Sequence, residues 1–178
     1  MNLTKFLDGE NPKNTDLILT YVTGILMAIL VLVTAKFQNL NWSILQSTVA
    51  FIVTADLAGG VISNLTKSTN SFYQKSDKLS IIFLAVHFIQ PLLLTIFFGL
   101  SFQTFWFLYL FMLFSSIIVR FFSRNEYQRQ ISGGIVTIGF TIFSLFFSLP
   151  SIFIWFPFVY FFKLIFAFSV NHFKKNLN

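Results

Sequence analysis

Thr54-Ala55-Asp56-Leu57-Ala58-Gly59-Gly60-Val61-Ile62-Ser63-Asn64 lies inside an apolar run long enough to cross a membrane, yet it carries an acid, an amide and a glycine pair. Helical spacing places Asp56, Gly60 and Asn64 on one stripe at i, i+4 and i+8. Ala55, Gly59 and Ser63 make a second stripe of small residues beside it, a surface that lets a neighbouring helix come close. Asp56 is the only acid within an apolar segment of the chain. An ionisable group in a membrane helix is costly, which marks Asp56 as a candidate site in search of a partner.

The whole composition agrees with a membrane setting. The 178 residues are 56% hydrophobic and 10% charged, against roughly 25% charged in a soluble domain. Six apolar segments follow one another, at about 17–35, 42–63, 79–100, 102–119, 131–149 and 152–170. Each approaches the ~20 residues that span a ~30 Å hydrocarbon core, and lipid leaves backbone groups no partner but their own helix. The expected fold is an all-α membrane protein, one polytopic domain over 1–178, built as three helical hairpins with short outer loops.

Loop charge sets the expected orientation. Lys5 and Lys13, then Lys67, Lys75 and Lys78, then Arg120, Arg124 and Arg129, then Lys174 and Lys175 all fall on one side. Lys36 alone falls on the other, which predicts both termini in the cytoplasm. Trp42, Trp106 and Trp155 lie near the opposite helix ends, where amphipathic rings prefer the interface. Arg120, Arg124 and Arg129 read as topology markers and contacts for anionic headgroups. Heavy use of Phe, Ile, Leu, Asn and Lys suggests an AT-rich bacterial genome, hence a bacterial plasma membrane. The net charge of +6 is dispersed between the spans, which argues against nucleic acid as a partner.

Depth brings three ionisable groups together. Asp56 is eleven residues from Lys67 and Lys163 eleven from Lys174, roughly 16 Å each at ~1.5 Å per residue. His87 is nine residues from Lys78, roughly 13 Å by the same rise. On these numbers an Asp, a His and a Lys on three helices reach one level, with Asn64 and Gln90 as polar neighbours. Lys163 has an alternative, to snorkel towards the headgroups on its long stem. Pro91 denies a bond to the carbonyl of His87 four residues earlier and predicts a bend there. Gly59 and Gly60 are expected to loosen the second helix at matching depth, so that two bent helices enclose a small pocket.

Several chemistries are excluded or weak. There are no cysteines, which removes disulfides and thiolate sites. His87 and His172 are the only histidines, so no metal site is expected, and no sequence feature asks for a cofactor. A Ser-His-Asp set can be drawn from Ser63, His87 and Asp56, but no nucleophile-elbow context supports it. The catalytic residues of an enzyme are therefore not identified, and the balance is against an enzyme.

In outline, six helices in about 180 residues with internal termini resembles the substrate-binding subunits of energy-coupling-factor vitamin transporters. Those subunits carry small-residue patterns on the first helix for docking on a transport module, and Gly24-x-x-x-Ala28 is the corresponding pattern here. The resemblance is one of architecture and not of motifs.

The leading expectation is a protein that binds or translocates a small solute, ion or proton at Asp56, His87, Lys163, Asn64 and Gln90, near the cytoplasmic side. Lipid surrounds it, and a second copy or a transport partner subunit completes it. One alternative is a membrane-embedded enzyme acting on a lipid through His87 and Asp56. Another is a non-catalytic accessory or immunity protein whose polar cluster is structural.

Overall fold

The computed structural model describes residues 7–123 and 126–173, whose regular elements are all helices, with no strand among them. Six helical stretches are long and apolar enough to cross a membrane. The first is α1 (Asn14–Phe37) and the second α2 (Ile44–Leu65). A short helix, α3 (Lys67–Gln74), separates them from the third span, which is divided into α4 (Asp77–Val86) and α5 (Ile89–Phe98). The fourth is α6 (Phe102–Ile117), continued by a π turn over Ile118–Phe122, and the fifth is α7 (Gln128–Phe146). The sixth joins a 3-10 turn (Ser151–Phe153), α8 (Phe156–Phe161) and a π-helical stretch (Phe162–Phe168).

Local chemistry explains where the helices start and stop. Ser43, Thr66, Ser76 and Ser101 each cap the helix that follows, their hydroxyls accepting a backbone N–H that has no intrahelical partner. Ser43 and Gln46 form a reciprocal capping box. Gly99 ends α5 in a left-handed conformation, φ 74°, and Ser101 begins α6 two residues later.

Small residues bring α1 and α2 into close contact. The buried face of α1 is Thr20, Gly24, Ala28, Val31 and Ala35. A methyl group on Gly24 would stand 2.7 Å from the Ala55 carbonyl oxygen, and one on Gly59 would stand 2.9 Å from that of Thr20. The Ala55-Gly59-Ser63 stripe thus receives α1 of the same chain. Gly24 and Ala28 are spent inside the chain as well, so the pattern read as a docking surface for a transport module is not available to a partner.

The sixth span is the centre of the bundle. Of its apolar window 61% is buried, against at most 39% in any other span. Phe156, Tyr160, Phe161, Leu164 and Ile165 are fully enclosed. Aromatic packing fills the space around them, with Phe111 on Phe161 at 5.1 Å and Phe83 stacked on Phe168 at 4.2 Å. By contrast α7 turns Gly134, Thr137, Thr141 and Ser144 outward, and Gly133 and Gly134 have open space where a side chain would stand.

The loops gather at two ends. At one, Trp42 packs on Phe98 and Phe153 at 5.0 and 5.8 Å. At the other, residues 7–13 lie against α3, with Lys75 and Glu10 2.7 Å apart. Asn70 of α3 donates to the Val170 carbonyl and accepts from the His172 N–H. Tyr73 of α3 is buried between Phe83 and Phe168, and that burial holds its phenol neutral by pushing its pKa up.

These contacts predict that Gly24→Val and Gly59→Val each destabilise the protein by about 1–3 kcal/mol through overpacking, while Gly134→Ala is neutral. Thermal unfolding in mild detergent reads all three.

Candidate functional site

The Asp56-Gly60-Asn64 stripe of α2 faces the π-helical stretch of the sixth span, and all three residues engage Lys163. The Lys163 Nζ lies 2.8 Å from Asp56 Oδ2 and donates to the Asp56 backbone carbonyl at 3.1 Å. Asn64 Nδ2 donates to the Lys163 carbonyl at 3.2 Å. Between them Gly60 is a notch, because a methyl group there would overlap the Lys163 Cε. A lysine that crosses a helix backbone needs a residue without a side chain beneath it.

Lys163 therefore does not snorkel. Its side chain is 2% exposed and its charge is neutralised within the bundle. A π turn carries it, a form that is rare and recurs at functional sites. The widened turn also exposes carbonyls, and the Leu164 oxygen accepts from both Ser116 and Ser169.

The third span contributes Gln90 and His87. Gln90 Nε2 donates to Asp56 Oδ2 at 2.8 Å, so that one carboxylate oxygen takes two bonds. That bond fixes the amide orientation, since the opposite one would set two oxygens against each other. Gln90 Oε1 is left buried without a donor. The helix is interrupted at His87 and Phe88, four residues before Pro91. Tyr160 supplies the hydrogen bond that proline removes, its hydroxyl donating to the His87 carbonyl at 2.8 Å. The His87 ring bonds the Phe83 carbonyl through Nδ1. A carbonyl only accepts, so Nδ1 carries the proton and Nε2 of the neutral ring is an acceptor.

Two cavities meet at Asp56. One, of about 180 Å³, lies between α2, the third span and the sixth, and His87, Gln90, Asn64 and Lys163 line it with Asp56. The other, of about 270 Å³, lies on the α1 side, against Thr20, Tyr21 and Gly24. Leu7 borders both. Residues 7–10 form a strap across this end, held by Ser63 Oγ donating to the Leu7 carbonyl at 2.9 Å and by Tyr21 donating to Asp8 at 3.1 Å. Gly9, φ 77°, allows the strap to touch the backbone of Ser68.

Other expectations need correction. Gly59 and Gly60 sit in an unbroken α2, so the glycine pair provides close approach and not a break. Arg120 is not spread on headgroups. Its side chain is 3% exposed, its Nη2 donates to the Tyr73 carbonyl at 2.9 Å, and Asp77 lies 3.5 Å away. Arg129 is exposed and donates to the His172 carbonyl, and Arg124 lies outside the described residues. The Ser63-His87-Asp56 set is not assembled, because Ser63 bonds Leu7 and Thr69 while His87 bonds Phe83. Among the described residues no cluster of His, Cys, Asp or Glu has the makings of a metal site.

Tyr160 and the strap are absent from the sequence reading. Tyr160 had a signal, since it precedes Lys163 by three residues and so shares its helix face. The strap had none, because nothing in residues 7–10 announces that they fold back.

Comparison with known proteins finds no matching family model, no matching curated protein and no matching solved structure.

Two substitutions probe the geometry. Gly60→Ala drives Lys163 off its path and is expected to cost about 1–3 kcal/mol. Tyr160→Phe leaves the His87 carbonyl without its donor and is expected to cost about 1 kcal/mol. Unfolding midpoints in detergent measure both.

Proposed function

We propose that this protein binds or moves a small solute, ion or proton across a bacterial plasma membrane, with Asp56 as the charge-bearing group. One observation carries the reading: the acid and the lysine that lie away from the ends of the membrane spans form an ion pair at the junction of two cavities. An ion pair that serves packing alone is best sealed on all sides, yet the Asp56 side chain is 41% accessible. The asymmetry suits exchange, with Lys163 as the fixed counter-charge and Asp56 as the end that a guest or proton reaches. His87 stands in the cavity wall as a second proton carrier, and Asn64 and Gln90 orient the pair.

Both termini are read as cytoplasmic and the six spans as three hairpins. The gathering of residues 7–13, α3 and the 170–172 segment at one end supports this, because the basic loops lie there. The site then opens towards the cytoplasmic half. The outward stripe of Gly134, Thr137, Thr141 and Ser144 supports a companion helix from a second copy or a partner subunit.

A second reading, a structural tie in an accessory protein, draws on the complete enclosure of Lys163. A double variant separates the two. Asp56→Asn leaves a buried ammonium unpaired, with an expected loss of about 3 kcal/mol or more, whereas Lys163→Met strands a half-accessible carboxylate at about 1–2 kcal/mol. Combining them removes both charges, and stability should largely return. The double variant is then reconstituted in vesicles and tested for pH- or solute-driven flux. Wild-type flux that vanishes in the stable double variant supports the site. If the wild type carries no flux, or the double variant carries as much, the pair is a structural tie.

A further inference from the structure

Each donor nitrogen around Asp56 makes at least one bond and keeps one N–H to spare, whereas four acceptor atoms receive none. Lys163 Nζ, Gln90 Nε2 and Asn64 Nδ2 each make at least one bond within the protein, and the Tyr160 hydroxyl is spent on the His87 carbonyl. Asp56 Oδ1, Asn64 Oδ1, Gln90 Oε1 and His87 Nε2 receive no hydrogen bond from a described residue. Asn64 and His87 are 2% and 4% exposed, so bulk water does not freely serve them. Gln90 Oε1 is a buried acceptor without a donor, which is costly, and with the three other acceptors around the same cavity it lines a seat for something that brings donors or positive charge.

From this we infer that the guest of the Asp56 site is a small monovalent cation, either an alkali ion or an ammonium. The inference rests on the proposed binding function and names its substrate class. Lys163 already shows what the seat accepts. Its ammonium is held by a carboxylate oxygen and the backbone carbonyl of one residue, Asp56, and a guest ammonium has the same chemistry. Charge limits valence, because Asp56 is the one carboxylate lining the cavity and Lys163 stays beside it, which disfavours a divalent ion. An anionic guest fits poorly, since the one ammonium of the site is already neutralised by Asp56 and the guest would face the Asp56 carboxylate itself. The cavity of about 180 Å³ is several times the ~30 Å³ share of one water, so it holds an alkali ion with part of its water shell, or methylammonium.

The test is a thermal-shift and isothermal titration of the full chain in mild detergent at constant ionic strength. Sodium, potassium and methylammonium chlorides are compared with N-methylglucamine chloride, and sodium acetate with sodium chloride. The expected result is saturable stabilisation by at least one of the small cations, independent of the anion and lost in Asp56→Asn. Gln90→Met removes one acceptor and leaves the Asp56–Lys163 pair in place, so it covers the case in which Asp56→Asn fails to fold. There the cation binds about tenfold more weakly, the loss of one good hydrogen bond. Stabilisation by acetate that depends on Asp56 or Gln90 overturns the cation class while leaving the site standing. The absence of any saturable effect, or one unchanged by both variants, overturns the inference and withdraws support from the site as well.

Discussion

The contact on which the bundle turns is the reach of Lys163 across Gly60 to Asp56. An ammonium at this depth needs a counter-charge within hydrogen-bond distance, because a lone charge in hydrocarbon costs several kcal/mol. Meeting that need fixes much else. It uses the space left by the glycine at position 60, sets the sixth span against α2, and places Asn64 under the Lys163 carbonyl. The π turn that carries Lys163 widens the same helix, whose Leu164 carbonyl bonds Ser116 of α6 and Ser169. The ion pair joins the second and sixth spans, and the Ser116 bond to the next carbonyl adds the fourth.

The interruption of the third span is a second case of one requirement answering another. Pro91 has no N–H to give, and the carbonyl it abandons belongs to His87. Tyr160, one helical turn before Lys163, fills that vacancy. The broken helix and the lysine are thus held by neighbouring side chains of one face of the sixth span. The Tyr160 bond ties two walls of the pocket together, while Asp56, on the second span, is the accessible member.

Much of the fold was legible in the sequence because lipid leaves few choices. Six apolar runs bounded by Ser caps, Gly99 and the loop at 37–43 become six spans with ends displaced by a few residues. Asp56, Lys163 and His87 were found because polar groups are rare at such depth. Side-chain partners were less legible. Lys163 had two physically reasonable ends, and only the packing that places Gly60 beneath it decides between them. Gly59 and Gly60 read equally well as a weak point or as a notch, since an absent side chain serves both. Arg120 shows the reverse difficulty. Its place beside a span end suggested lipid headgroups, but α3 folds over it, and no periodicity in eight residues foretells that.

The distance along the chain between Asp56 and Lys163 bears on how the protein is made. The acid enters the bilayer with the second span, and its counter-charge is synthesised 107 residues later. At about 5–20 residues per second, this is a wait of roughly 5–20 s. During that interval the carboxylate sits in the membrane unpaired, protonated or drawn towards water. Only the arrival of the last span supplies its counter-charge. A chain cut short before position 163 would display an unneutralised acid within an apolar helix, at the cost of burying an unpaired charge. The same charge pair that shapes the pocket is thus also among the last contacts the chain can make.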